Sequence, residues 1–188
     1  MEERSDCINK IIDIELDMFQ KVPTASPTQC QQSPGGFKLV RRSSFNLWSD
    51  KTLKLYYEDL KKALEKGKNL LTEKYARMDD LIPPLSENPL IDKIVKIEVV
   101  WRVELMAKYP NIFGFGGPDG GCGVGFEKYL RSELETFSDD TIHSYHIDIT
   151  EAVDEGRNLS EEKAENMFKG MGYASLEKAD KIAGSKKQ

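Results

Sequence analysis

FKLVRRSSFNLWSDKTLKLYYEDLKKALEKGKNL runs from Phe37 to Leu70, and FEKYLRSELETFSDDTIHSYHIDITEAVDEGRNL runs from Phe126 to Leu159. Aligned without a gap, they share twelve of 34 positions, where average composition gives about two by chance. The identities include Arg42/Arg131, Ser49/Ser138, Tyr56/Tyr145, Asp59/Asp148, Gly67/Gly156 and Asn69/Asn158, an offset of 89 residues. Upstream, INKIIDIE from Ile8 matches IDKIVKIE from Ile91 at five of eight positions, at an offset of 83. Six extra residues therefore lie in the second connecting loop. This pattern predicts an internal duplication, with copies at 8–79 and 91–169 and a linker at 80–90, inside one domain of 188 residues. The period is too long for a solenoid, and two copies are too few.

Each copy reads as helices. Ile8, Ile11, Ile12, Leu16 and Phe19 follow helical spacing, as do Phe37, Val40, Ser44, Phe45 and Trp48. Leu53, Tyr56, Tyr57, Leu60 and Leu64 form a third stripe. Ser49 and Ser138 are expected N-caps, because a hydroxyl there accepts an orphan amide. Gly67 and Gly156 are expected helix stops, and Thr72 and Ser160 the caps of the next short helix. DDLIPPLSENP separates the copies, its prolines opposing a continuous helix. A last helix is expected over 175–183. No segment reads as a strand. The expected fold is all-α, two tandem helical units packed with pseudo-twofold symmetry plus a short C-terminal helix.

A net charge of −5 argues against nucleic acid, whose affinity comes mainly from Lys and Arg neutralising phosphates. No apolar run approaches the ~18 residues of a membrane helix, and MEERSDCINK lacks the apolar core of a secretory signal. Cys7, Cys30 and Cys122 are odd in number and contain no C-x-x-C pair, which suits a reducing compartment. A cytoplasmic protein without membrane or nucleic-acid partners is expected.

Polar groups in apolar places supply the candidate site. Glu15 falls in the middle of the stripe made by Ile8, Ile11, Ile12 and Phe19, and Glu98 holds the same place in the second copy. A buried carboxylate needs a partner, and the recurrent Arg42 and Arg131 are the expected ones, with Arg102 a further choice for Glu98. Glu15, Asp59, Glu98 and Asp148 are weak metal candidates, four carboxylates from four helices. The Glu-x-x-His pairs of di-iron bundles are missing, so a metal is possible but not favoured. The loop over 22–36 carries Cys30, a candidate nucleophile, with Glu15 the matching proton carrier. GFGGPDGGCGVG lacks both Rossmann spacing and G-K-[ST], and reads as a connector. Glu73, Tyr75 and Arg77 complete the list: Glu73 and Arg77 can pair at i,i+4, while a phenol beside a guanidinium makes an anion clamp.

NLLTEKYARM, FKLVRRSSFNLWS and the Cys30–Gln31 pair resemble a bacterial family known as domain of unknown function 4125. The resemblance covers nearly the whole chain. It places Cys30, Gln31, Arg42, Glu73, Tyr75 and Arg77 on the family's motif positions, with Ser44 where a Gln usually stands. It implies no activity. The expected function is a small-ligand (anionic) or metal-binding helical domain, its site at the junction of the copies and lined by Glu15, Arg42, Glu73, Tyr75, Arg77, Glu98 and Arg131. The alternative is a non-enzymatic adaptor that docks another protein.

Overall fold

The computed structural model describes residues 2–23, 33–114 and 124–185. Every regular element among them is helical: α1 (Glu2–Gln20), α2 (Pro34–Phe45), α3 (Asp50–Glu65), α4 (Leu70–Met78), α5 (Pro89–Lys108), α6 (Pro110–Phe113), α7 (Val124–Leu134), α8 (Asp139–Asp154), α9 (Leu159–Gly170) and α10 (Leu176–Ser185).

Local chemistry sets the helix ends at aligned positions in the same way. The Ser49 hydroxyl accepts the Thr52 amide at 3.2 Å and that of Ser138 accepts the Thr141 amide at 3.4 Å. Gly67 and Gly156 take φ of 65° and 68°, which a Cβ would strain. That left-handed residue turns Lys68 N onto the Ala63 carbonyl, and Arg157 N onto that of Ala152, each at 2.8 Å. One expectation needs correction. Thr72 and Ser160 cap nothing, because α4 and α9 begin earlier, at Leu70 and Leu159. Their caps are Asn69, accepting from Thr72 N at 2.9 Å, and Asn158, accepting from Glu161 N at 3.0 Å. Asparagine has an amide left over for tertiary work. Nδ2 of Asn69 donates to the Met18 carbonyl and Nδ2 of Asn158 to the Trp101 carbonyl, tying each short helix to the long helix of its own half.

Helix α1 packs on α2, α3 and α4, while α5 packs on α7, α8 and α9. Between the halves, α3 meets α8, α4 meets α7, and α2 meets α9. Reciprocal contacts fasten that junction. Ser49 N donates to Asp148 and Ser138 N to Asp59, both at 3.0 Å. Trp48 packs tilted against Tyr145 at 4.9 Å between ring centroids, and Phe137 against Tyr56 at 4.7 Å.

One apolar core runs through both halves, with Ile11, Phe45, Leu60, Ile94, Ile142 and Ile149 fully buried. Each such side chain contributes on the order of 1.5–3 kcal/mol by leaving water. A smaller cluster of Leu105, Tyr109, Ile112, Phe113, Leu176 and Ala179 forms where α6 and α10 close over α5 and α9. Helix α10 is the expected C-terminal helix. The single turn of α6 was not foreseen.

Candidate functional site

Glu15 is buried, as its place on the stripe requires. Its partner is not Arg42. Phe37, Arg41 and Phe45 lie four residues apart, so Arg41 shares the inward face of α2, whereas Arg42 turns outward and donates to Asn9 Oδ1 at 2.6 Å. The Arg41 guanidinium grips both oxygens of Glu15, Nε to Oε2 at 2.7 Å. Tyr56 OH donates to Glu15 Oε1 at 2.7 Å. The other edge of Arg41 reaches α7, Nη1 to Glu133 Oε1 at 2.7 Å, and Lys74 Nζ donates to Glu133 Oε2 at 2.8 Å. Lys74 also sits 3.5 Å from the Tyr129 ring centroid. Two acids and two bases are thus sealed together without net charge.

The electrostatics follow from that enclosure. Burial pushes the Glu133 carboxyl up, but Arg41 and Lys74 outweigh it and hold the group well below the usual carboxylate range. Burial opposes the charge on Arg41, yet Glu133 and Glu15 keep the guanidinium firmly protonated. Burial and the Glu15 charge raise the Tyr56 phenol well above normal, so it stays a donor.

The second half carries the same frame with different filling. Tyr145 OH donates to Glu98 Oε1 at 2.7 Å, as Tyr56 does to Glu15. Leu130 stands at the position aligned with Arg41, Ser44 at that of Glu133, and Ala164 at that of Tyr75. Lys163, aligned with Lys74, has no hydrogen bond or ion pair among the described residues. The consequence is volume. Around Glu15, Tyr56 and Lys74 only about 20 Å³ is open. Around Glu98, Tyr145 and Lys163 lies a cavity of about 520 Å³. Each of the eleven residues lining the small void has its aligned counterpart on the wall of the large one. Leu105, Met106, Phe113, Leu134 and Phe137 supply apolar surface, and Arg102 lies over the rings of Phe113 and Phe126. Burial raises the Glu98 carboxyl above its ordinary value, with the Tyr145 bond and Lys163 pulling the other way. Burial and Glu98 in turn raise the Tyr145 phenol well above normal.

The remaining candidates separate. Arg131 faces outward and pairs with Asp92 at 2.7 Å, so it does not meet Glu98. Arg77 pairs with Glu135 at 2.7 Å and Asp80 at 3.2 Å, which braces the linker, because Glu135 also accepts Leu85 N. Glu73 lies near Lys68 at 3.4 Å rather than pairing with Arg77. Tyr75 packs on Phe19 and fills the small void. Arg77 and Tyr75 therefore do not form one anion clamp. The four metal candidates are engaged apart from one another: Glu15 by Arg41, Glu98 by Tyr145, Asp148 by Ser49, and Asp59 by Ser138 and Thr141. Among the described residues, no group of three or more His, Cys, Asp and Glu is placed to hold a metal ion. Cys30, Gln31 and Cys122 lie outside the described residues. Glu15, clamped by a guanidinium and a phenol, is built for structure rather than proton transfer.

Sequence reasoning passed over Arg41, Glu133, Lys74 and Lys163. The signals were present: Arg41 on the Phe37/Phe45 spacing, Glu133 aligned with a stripe position, and Lys74 and Lys163 identical in the alignment. Among the described residues, no helix is long and apolar enough to cross a membrane.

Residues 5–181 match the model of the family described as protein of unknown function DUF4125, and the chain belongs to that family. No curated protein and no solved structure matches the chain.

Proposed function

We propose that this protein binds a small organic molecule in the cavity bounded by α2, α5, α7, α8 and α9. A volume of about 520 Å³ falls in the usual range for ligand sites, which join apolar walls to a few placed polar groups. The observation that carries the reading is the contrast at aligned positions. Where Arg41, Glu133 and Tyr75 pack the frame around Glu15, the aligned Leu130, Ser44 and Ala164 leave the frame around Glu98 open. Lys163 offers the head group an anion-binding ammonium, and Glu98 with Tyr145 offers a second polar anchor.

The reading includes descent from a duplicated helical unit whose copies meet about an approximate twofold axis. Its support is the reciprocal Ser49–Asp148 and Ser138–Asp59 bonds, together with the Trp48–Tyr145 and Phe137–Tyr56 contacts. The odd, widely spaced cysteines favour a reducing, cytoplasmic setting. On this reading the first half became a packed scaffold and the second kept the site.

Native mass spectrometry of protein purified from its own host tests the proposal. A retained small molecule that is lost in the Ala164→Tyr variant supports it, since that change copies the residue at position 75 and fills the cavity. A retained protein partner, with no small molecule in either form, overturns it in favour of an adaptor.

A further inference from the structure

The cluster around Glu15 contains, in the protein's own side chains, a picture of what the neighbourhood of Glu98 lacks. There the Glu15 carboxylate, itself held by the Tyr56 phenol, holds the Arg41 guanidinium, and the ammonium of Lys74 holds the Glu133 carboxylate. Arg41 and Glu133 are themselves joined at 2.7 Å. At the aligned positions the receiving groups are kept as Glu98, Tyr145 and Lys163, but the two groups received are gone, replaced by Leu130 and Ser44. Neither the cation nor the anion has a counterpart at the aligned positions. What remains on the wall is Glu98 and Lys163, beside Arg102 over its two rings and the outer edge of the joined Arg41 and Glu133, in a largely apolar cavity where an unpaired charge is costly.

We infer that the cavity takes a small zwitterion, whose guanidinium or ammonium group binds Glu98, the carboxylate held by Tyr145, and whose carboxylate binds Lys163. This inference rests on the cavity being a ligand site and names the chemistry of its occupant. Because Arg41 and Glu133 touch, the two charges of the ligand lie close, as in a guanidino or amino acid rather than a long diamine or diacid. A planar guanidinium suits the site best, since Nε and Nη2 of Arg41 engage both oxygens of the aligned carboxylate. Leu105, Met106 and Phe113 leave room beyond the polar end for an apolar substituent.

The test is titration calorimetry with guanidinoacetate, 4-guanidinobutyrate, L-arginine and L-phenylalanine, against methylguanidinium and hexanoate as single-charge controls. Saturable binding of at least one zwitterion, roughly tenfold or more tighter than either control, is expected from two charge-assisted contacts in place of one. The Ser44→Glu/Leu130→Arg variant, which supplies both missing groups from the chain, should lose that binding and melt at a higher temperature. Should the double variant not fold, Glu98→Gln serves instead: it should weaken the zwitterions roughly tenfold and leave hexanoate unchanged. Hexanoate binding as tightly as the zwitterions, and lost in Ala164→Tyr, overturns the inference while the ligand site stands. Binding of none of these probes also overturns it, the cavity itself being judged by the retained-molecule experiment above.

Discussion

The Glu15 and Glu98 neighbourhoods share a carboxylate, a phenol and a lysine at aligned positions, yet one is solid and the other hollow. Around Glu15 every acid meets a base, and Tyr75, Tyr129 and Arg41 fill the space. Around Glu98 smaller or apolar residues take those places and about 520 Å³ remains. A buried ionic cluster adds little net stability over a well-packed apolar one, but losing a single member is severe. The first half is therefore held by mutual dependence. Around Glu98 neither the guanidinium nor the second carboxylate has a counterpart, so that dependence does not arise.

The sharpest way to break this contrast is Arg41→Leu, which gives the first half the residue found at 130. It leaves Glu15 and Glu133 buried without their guanidinium and should cost about 3–5 kcal/mol in urea unfolding. A cost under ~1 kcal/mol would mean the cluster is not what holds that half together.

The next test is pH, where the two neighbourhoods should behave with opposite sign. Glu133 is depressed in the folded state, so its stabilisation is present above the ordinary carboxylate range and is lost as pH falls below about 4.5. Glu98 is raised, so its folded form favours the proton. That contribution is present in acid and is lost as pH rises from the ordinary glutamate value through the raised one. Glu98→Gln should accordingly stabilise the unliganded protein at neutral pH by on the order of 1 kcal/mol, and much less near pH 3. Thermal melts across that span check it, and a larger gain in acid than at neutral pH contradicts the assignment.

The smallest effects should come from the two recurrent arginines. Arg42→Ala and Arg131→Ala remove partly exposed contacts to Asn9 and Asp92, and each should cost under ~1 kcal/mol by the same unfolding assay. A loss at Arg42 as large as that at Arg41 would erase the distinction between adjacent residues on which the closed site depends.

Much of the frame was legible because it is local. Ser49 and Gly67 act through bonds within a few residues, so their roles transfer directly to Ser138 and Gly156. Glu15 was legible as buried from a single helical wheel. The cap at Asn69 was missed because Thr72 also offers a hydroxyl, and the choice turned on which residue could reach Met18 as well. Recurrence points to Arg42, yet helical spacing with Phe37 and Phe45 puts Arg41 on the inward face. The identical pair Arg42 and Arg131 faces outward, while the inward Arg41 aligns with Leu130.

The chain by itself determined its helices, their ends, the aligned halves and the need of Glu15 for a counter-charge, since each rests on spacing and near-neighbour hydrogen bonds. Only the tertiary structure decided that Arg41 meets Glu133, 92 residues away, and that the aligned place in the other half stays open. Those outcomes depend on how α2 and α7 approach each other's neighbours, and on the summed volume of side chains brought together from five helices. Neither quantity is written in any local stretch.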